Sequence, residues 1–291
     1  MTGAAQPFDL QSHSTFSDGE LAPADVVALA AAAGIQLLAL SDHDTVDGVE
    51  AAQRAATVHG IRVVPAVEMS VLDPAAQDLH LLGYLVDTGN EALVSALERS
   101  RSDRENRAER IIARLEDLGL AVDRPPLDLR TAAGQTIGRP HLAQAVYSHP
   151  ANSARMAAEG LRDSTAFLVA YLIEGTPGFV GREAPSIDEG IELIHGAGGV
   201  AVWAHPFWDV DHEADVLQAL DRFVAAGLDG VEAFYPSFSR SHTELLASRC
   251  AELRLLTTGS ADFHGPNHPH FNTFGMFETF GIQPNLGPIA G

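Results

Sequence analysis

The sequence is poor in cysteine and in positive charge. One cysteine, Cys250, occurs in 291 residues, which excludes a disulfide framework within the monomer and a cysteine-based zinc site. Lysine and arginine number 18 against 39 aspartates and glutamates, giving a formal net charge of −21. Because duplex nucleic acid is bound mainly through positive charge, we expect no duplex partner.

The sequence also lacks a long hydrophobic run. The longest apolar stretch, residues 26–40, is interrupted by Gly34 and Gln36 and is shorter than the roughly 20 residues that span a bilayer. Residues 1–7 contain neither the basic nor the apolar region of a signal peptide. We therefore expect a soluble, cytoplasmic protein with no membrane partner, while its oligomeric state stays open.

Short apolar runs alternate with helical patterns near both ends of the chain. This rhythm predicts βαβ units and a parallel sheet. About seven such strands predict a closed or nearly closed β/α barrel, with a doubly wound open sheet as the alternative. The predicted strands are residues 8–10, 37–40, 62–67, 80–86, 199–204, 230–235 and 255–258.

The rhythm stops between residues 90 and 182. A long helical pattern covers residues 91–118, and Pro125-Pro126 then predicts a loop, followed by two further helices. We interpret residues 90–182 as a helical insertion, or cap domain. The barrel domain then comprises residues 1–89 and 183–291.

Unusual polar residues lie at the ends of the predicted strands. Because the carboxyl ends of barrel strands converge on one mouth, and because His, Asp and Glu are metal ligands, the joint placement predicts a metal centre. A single polar residue at a strand end has a simpler explanation; Asp42 and Asp44, for example, could cap the next helix. The candidates are His13, Asp18, His43, Glu68, His80, His205, Asp262 and His264.

Several motifs carry a resemblance to a known family. They are residues 9–14 (DLQSHS), 17–19 (SDG), 41–45 (SDHDT), 65–68 (PAVE), 138–141 (GRPH), 204–206 (AHP) and 259–265 (GSADFHG). The set resembles the PHP family, named for polymerase and histidinol phosphatase domains. It is most similar to the stand-alone phosphoesterases of that family, which include 3′,5′-nucleoside bisphosphate phosphatases and short-RNA 5′ exonucleases.

The resemblance implies a distorted (β/α)7 barrel with a helical insertion, and two or three divalent metal ions. These would be Mn, Fe or Zn, with Mg possible. The family pattern implies three ligand sets. They are His13, Glu68 and Asp262 for a first metal; Glu68, His80 and His205 for a second; and Asp18, His43 and His264 for a third.

Two positions depart from the family pattern. Gln11 stands where the family has a further histidine, and an amide oxygen is a weaker, neutral ligand. The substitution predicts a first site that is looser, that prefers an oxygen-loving ion such as Mn²⁺ or Mg²⁺, or that is partly empty. Ala261 is inserted before Asp262, but the spacing of Asp262 to His264 is intact.

These residues suggest metal-assisted phosphoester hydrolysis. We hypothesise that a metal-bound hydroxide attacks phosphorus, at metals held by Glu68, His205, Asp262 and His264. Arg139, His141 and His242 are candidate phosphate-binding residues, because an acidic protein needs local positive charge to hold a phosphate. For Arg139 and His141 the simpler explanation is a helix start at Pro140. The expected substrate is a small phosphorylated molecule, preferably a nucleotide.

Three alternatives stay open at this point. An amidohydrolase is also a barrel with His and Asp ligands. A histidinol-phosphate phosphatase would share the fold and the metals. A catalytically impaired metal-binding domain would follow if Gln11 disables the centre.

Overall fold

The computed structural model describes residues 7–73, 77–132 and 137–291. Within these residues one seven-stranded sheet follows the chain order from β1 to β7. The strands are β1 Phe8–Asp9, β2 Leu37–Leu40, β3 Arg62–Asp73, β4 Gln77–Tyr84, β5 Val200–Trp203, β6 Gly230–Phe234 and β7 Leu256–Gly259.

The sheet curls until its first and last strands meet. The backbone N–H of Leu10 donates to the carbonyl oxygen of Gly259 at 3.2 Å, and a parallel bridge joins Ser12 to Phe263. The nearly closed α/β barrel that the sequence predicts is therefore confirmed. The open, doubly wound alternative is wrong, because its edge strands would not pair.

One part of the predicted sheet is wrong in direction and length. β4 is antiparallel to both β3 and β5, whereas β1, β2 and β3 run parallel, as do β5, β6 and β7. β3 continues past Val67 to Asp73, and β4 begins before His80. The full length of the two strands was not predicted because Glu68, Ser70 and His80 interrupt the apolar pattern that is typical of a strand.

The helices begin and end at local signals that the sequence shows. Gly34 and Gly60, with φ of 89° and 69°, follow the first two helices and supply the left-handed conformation that ends a helix. The helices are α1 Pro23–Ala32, α2 Val49–His59, α3 Glu91–Asp117, α4 Arg124–Ala132, α5 Arg139–Tyr147, α6 Ser153–Ala158, α7 Ser164–Tyr171, α8 Ile187–Gly196, α9 Pro206–Asp209, α10 Glu213–Ala225 and α11 Arg240–Leu253, with short 3₁₀ turns at Pro150–Asn152 and Gly287–Ala290.

The loop predicted at Pro125-Pro126 is wrong. Both prolines lie in the first turn of α4, which begins at Arg124. A proline costs nothing there, because the first N–H groups of a helix have no partner within the helix.

The chain divides into two compact units, one made of residues 1–98 and 184–291 and the other of residues 99–183. The boundary falls inside α3. In the first unit the core between sheet and helices is filled by large buried side chains such as Trp203, Phe223 and Phe234. In the second unit Leu115 and Phe167 belong to a separate buried cluster. Among the described helices, none is both long and apolar enough to span a bilayer.

Candidate metal centre

Two buried aspartates fix the loops that follow β1 and β2. Asp42 accepts hydrogen bonds from the backbone N–H of Ser14 at 2.7 Å, from the Ser14 hydroxyl at 2.7 Å and from the Ser17 hydroxyl at 2.6 Å. Asp44 accepts from the N–H and hydroxyl of Ser70 at 2.8 and 2.9 Å. Neither residue caps α2, whose N-cap is Gly48. They instead hold in place the loops that carry Asp18 and His43.

The backbone adopts uncommon conformations at three places that follow strand ends near the cluster. Asp44, His205 and Asp262 have positive φ values of 51°, 28° and 53°. Such conformations cost of order 1–3 kcal/mol each in non-glycine residues and are concentrated at functional sites. They lie at the points where the chain leaves the carboxyl ends of β2, β5 and β7.

The buried carboxylate of Glu68 lies at the middle of a histidine cluster. Its Oε1 lies 3.1 Å from His80 Nδ1 and 3.0 Å from His205 Nε2. Its Oε2 lies 3.1 Å from His13 Nε2 and 3.5 Å from His43 Nδ1. Each oxygen therefore faces two imidazoles, an arrangement in which one carboxylate can bridge two cations.

Asp262 and His264 complete the cluster from the loop after β7. Asp262 Oδ1 lies 3.1 Å from His13 Nε2, while its Oδ2 accepts a hydrogen bond from the Tyr235 hydroxyl at 2.8 Å. His264 Nδ1 donates to the backbone carbonyl of Asp262 at 2.6 Å, which leaves Nε2 free to act as a ligand. That Nε2 lies 3.5 Å from Asp18 Oδ1.

The candidate donor atoms form four groups, in each of which all atoms lie within 4.8 Å of one another. One group is identical to the predicted first ligand set. A second group contains the predicted third ligand set and, in addition, His13. The predicted second set is divided between the last two groups. The groups are His13, Glu68 and Asp262; His13, Asp18, His43 and His264; His43, Glu68 and His80; and His80, His205 and Asp209.

The electrostatics favour the metal-binding protonation states of Glu68 and His43, whereas at His13 and His205 the neighbouring carboxylates outweigh burial and raise the pKa well above its usual value. Burial alone would raise the pKa of Glu68, but the surrounding imidazoles of His43, His80, His13 and His205 hold it well below its usual value. Burial lowers the pKa of His43 to about 3, against the pull of Glu68 and Asp18. The carboxylate is therefore anionic and this imidazole neutral at physiological pH, as metal binding requires.

Several atoms of the cluster are buried without a hydrogen-bond partner among the described residues. A buried polar atom left unpaired costs about 1–3 kcal/mol, and a cation would satisfy these atoms together. Imidazole nitrogens and carboxylate oxygens suit Zn, Fe and Mn, so the residues present fit divalent metal ions. The atoms are His13 Nε2, His43 Nδ1, His80 Nδ1, His205 Nδ1, Asp209 Oδ2 and Asp262 Oδ1.

Gln11 lies inside the cluster, with its amide NH₂ group and not its amide oxygen facing Glu68. The side chain is fully buried, and its Nε2 donates to Glu68 Oε2 at 2.9 Å. An amide N–H has no lone pair to give to a metal. In this conformation Gln11 therefore supports the Glu68 carboxylate, and its role as a ligand stays a prediction.

The three predicted phosphate-binding residues lie elsewhere than in the four donor groups. His242 is in the first turn of α11, where its ring stacks on Phe207 with centroids 4.1 Å apart. Arg139 and His141 lie in the first turn of α5 in the second unit, and His141 Nδ1 accepts a hydrogen bond from the N–H of Gly138 at 3.0 Å. Their phosphate-binding role stays a prediction.

Sequence reasoning missed two residues of this centre. Asp209 belongs to the fourth donor group, and its spacing of four residues from His205 was the available signal. Tyr235, which holds Asp262, had no such signal because it comes from a different strand end.

The comparisons with known proteins agree with this geometry. The model of the PHP domain matches residues 9–124. A 5′-3′ exoribonuclease of Haemophilus influenzae is 33% identical over 261 residues, which cover 89% of this chain and 90% of that protein. The chain belongs to the PHP family.

Two further proteins are similar to this chain over most of its length. A 3′,5′-nucleoside bisphosphate phosphatase of Chromobacterium violaceum is 32% identical over 268 residues, covering 89% of this chain and 87% of that protein. A solved structure from the same species, described as an amidohydrolase with bound sulfate and no metal, superposes with a TM-score of 0.73 at 30% identity, covering 98% and 93% of the two chains. The chain whose fold and donor groups are given above is therefore a PHP-family phosphoesterase, and its donor groups indicate divalent metals.

Proposed function

We propose that this chain hydrolyses a phosphate monoester of a small nucleotide, either a 3′,5′-bisphosphonucleotide or a short oligonucleotide. The observation that carries the proposal is the position of Glu68, whose two oxygens each face two imidazoles within 3.5 Å. Phosphoester hydrolysis commonly uses closely spaced metal ions that share ligands of this kind.

The ligand roles in the proposal follow the predicted sets. His13, Glu68 and Asp262 would hold one metal, Glu68, His80 and His205 a second, and Asp18, His43 and His264 a third. When bound, divalent metals supply Lewis acidity and lower the pKa of water toward neutrality. The chain itself keeps its donors in position: Tyr235 holds Asp262, and the Asp262 carbonyl keeps the proton of His264 on Nδ1.

An exposed aromatic surface next to the cluster supports a nucleotide as substrate. Trp208 is 53% exposed and packs edge-on against Phe271 at 5.5 Å and Tyr235 at 6.2 Å. Tyr235 in turn lies 5.4 Å from the ring of His205, and Phe271 lies 5.6 Å from that of His264. Aromatic side chains of this kind stack on nucleobases, at about 1–3 kcal/mol per base.

The relatives also favour a short nucleotide. Those described above carry the names of a 5′-3′ exoribonuclease and a 3′,5′-nucleoside bisphosphate phosphatase. The net charge of −21 disfavours a long polyanion, since repulsion acts along its whole length outside the site.

The test is phosphate release from adenosine 3′,5′-bisphosphate with added Mn²⁺, before and after chelation. We expect release that stops on chelation and returns with metal. Histidinol phosphate and a simple amide, assayed in parallel, separate the two other hydrolase functions. Metal binding without turnover of any of these substrates would favour a catalytically impaired domain.

The substrate class and the phosphate contacts each have a matched variant. Trp208→Ala should raise KM for the bisphosphate about tenfold while Trp208→Phe stays near wild type, and neither should alter turnover of ribose 3,5-bisphosphate, which has no base. Arg139→Ala, His141→Ala and His242→Ala should raise KM, with Arg139→Lys intermediate because lysine cannot form the bidentate contact.

A further inference from the structure

An aspartate that the family pattern does not include lies at one end of the cluster. Asp209 is the last residue of α9, the short helix that follows His205. Its Oδ2 lies 3.2 Å from His205 Nδ1. The His205 side chain is 5% exposed and that of Asp209 is 16% exposed, so the pair is largely withdrawn from water.

The two atoms are close but are not aligned for a hydrogen bond. His205 Nδ1 and Asp209 Oδ2 are both buried without a hydrogen-bond partner among the described residues. Nearby polar atoms that are buried and mutually unpaired need a common partner, because leaving each one unsatisfied is costly. A cation between them would supply that partner.

The two nitrogens of His205 face different partners, so the imidazole can keep its proton on one nitrogen and act as a ligand through the other. Its Nε2 faces the bridging Glu68 at 3.0 Å, whereas its Nδ1 faces Asp209. The ring of His80 meets that of His205 edge-on with centroids 5.4 Å apart. Donor atoms of His80, His205 and Asp209 all lie within 4.8 Å of one another, and imidazole with carboxylate is a donor set that suits Zn, Mn or Fe.

The local backbone explains how Asp209 reaches this position. After the positive φ of His205, Pro206 begins α9. The N–H of Trp208 donates to the His205 carbonyl at 2.8 Å, and the N–H of Val210 donates to that of Pro206 at 3.1 Å. This single helical turn places the side chain of Asp209 beside that of His205, which precedes it by four residues.

We infer that Asp209 is a metal ligand that completes, with His80 and His205, a donor set at the end of the centre away from Gln11. The inference deepens the proposed function and rests on its metal centre. The chain has a neutral amide where its family has an imidazole at position 11, and it has an anionic carboxylate at position 209. Asp209 therefore adds an anionic oxygen to the two imidazoles at its end of the centre.

The test compares metal binding by wild type, Asp209→Asn and Asp211→Asn. Asp211 is exposed and lies two residues further along, so its variant makes the same charge change outside the cluster. With Mn²⁺ or Zn²⁺ alone as the probe, competition against a chromophoric chelator measures affinity, and elemental analysis measures the number of ions bound. We expect Asp209→Asn to weaken the binding of one ion on the order of 100-fold, and Asp211→Asn to match wild type in both affinity and number of ions.

A spectroscopic measurement separates a ligand from a residue that only orients His205. The visible spectrum of the Co²⁺-loaded protein should change in Asp209→Asn and stay unchanged in Asp211→Asn. Unaltered affinity in Asp209→Asn, or weaker affinity with an unaltered Co²⁺ spectrum, would overturn direct ligation. Circular dichroism checks that Asp209→Asn is folded. Wild type that binds no metal would instead reject the proposed function itself, so the two failures are distinguishable.

Discussion

The position of Glu68 among four imidazoles leads to a prediction about metal-dependent stability. Glu68→Gln keeps the size of the side chain and removes its charge. The wild-type carboxylate meets four imidazoles with two oxygens, whereas the amide offers one oxygen and one NH₂ group. Half of these contacts then face a group that cannot act as a metal ligand. Of the two donor groups that contain Glu68, one loses its only carboxylate and the other keeps Asp262 alone.

The size of the effect follows from linkage. A metal present at about 100 times its Kd stabilises the folded state by about 2.7 kcal/mol. Each kcal/mol raises the Tm of a chain of this size class by about 2–4 °C. One tightly bound ion should therefore raise the wild-type Tm by about 5–10 °C, and we expect Glu68→Gln to retain less than about 3 °C of that shift.

The assay is calorimetry with excess Mn²⁺ and with a chelator, together with elemental analysis of the dialysed protein. Glu232→Gln is the matched control. Glu232 is equally buried and accepts hydrogen bonds from the His205 N–H at 2.9 Å and the Ser260 hydroxyl at 2.5 Å, but it belongs to none of the donor groups among the described residues. The reasoning is refuted if Glu68→Gln shows the wild-type shift and the wild-type metal content.

Three further predictions test the surroundings of the centre. Gln11→His supplies the imidazole that the family pattern has, so metal affinity should rise about tenfold, or 1.4 kcal/mol, in chelator competition; an unchanged affinity would contradict a weakened site. Asp42→Ala removes three hydrogen bonds to a buried charge, each worth about 1.5–3 kcal/mol, so the urea midpoint should fall substantially, and an unaltered midpoint would show that the loop is held in another way. Burial raises the pKa of the Cys250 thiol to about 12, so a disulfide reagent should label the chain only on unfolding; rapid labelling of native protein would disagree.

Local signals made much of the fold predictable. β2 has the predicted bounds, because Leu37–Leu40 is a compact apolar run, and α2 ends at the glycine Gly60 that follows it. Apolar runs and helix-ending glycines influence only the few residues around them, so they can be recognised without knowing the rest of the chain. The prolines of α4 were misread because the same residues mark either a loop or the first turn of a helix.

The candidate site was predictable in its residue types but not in its contacts. Histidines and carboxylates at strand ends indicate convergence whenever the sheet closes. The orientation of Gln11 toward Glu68 depends on residues 57 positions apart, and the contact of Glu68 with His205 on residues 137 positions apart. No local pattern specifies which nitrogen or oxygen faces which neighbour.

The sequence by itself determined the alternation of strands and helices, the helix ends and the supply of metal-binding side chains at the barrel mouth. These depend on periodicity, backbone preference and side-chain chemistry, which are properties of short segments. The tertiary structure alone decided that β4 runs antiparallel, that Asp42 and Asp44 fix loops instead of capping a helix, and that Asp209 joins the cluster. Each of these follows from packing between distant segments, where burial and unpaired polar atoms select one arrangement among those that the local sequence allows.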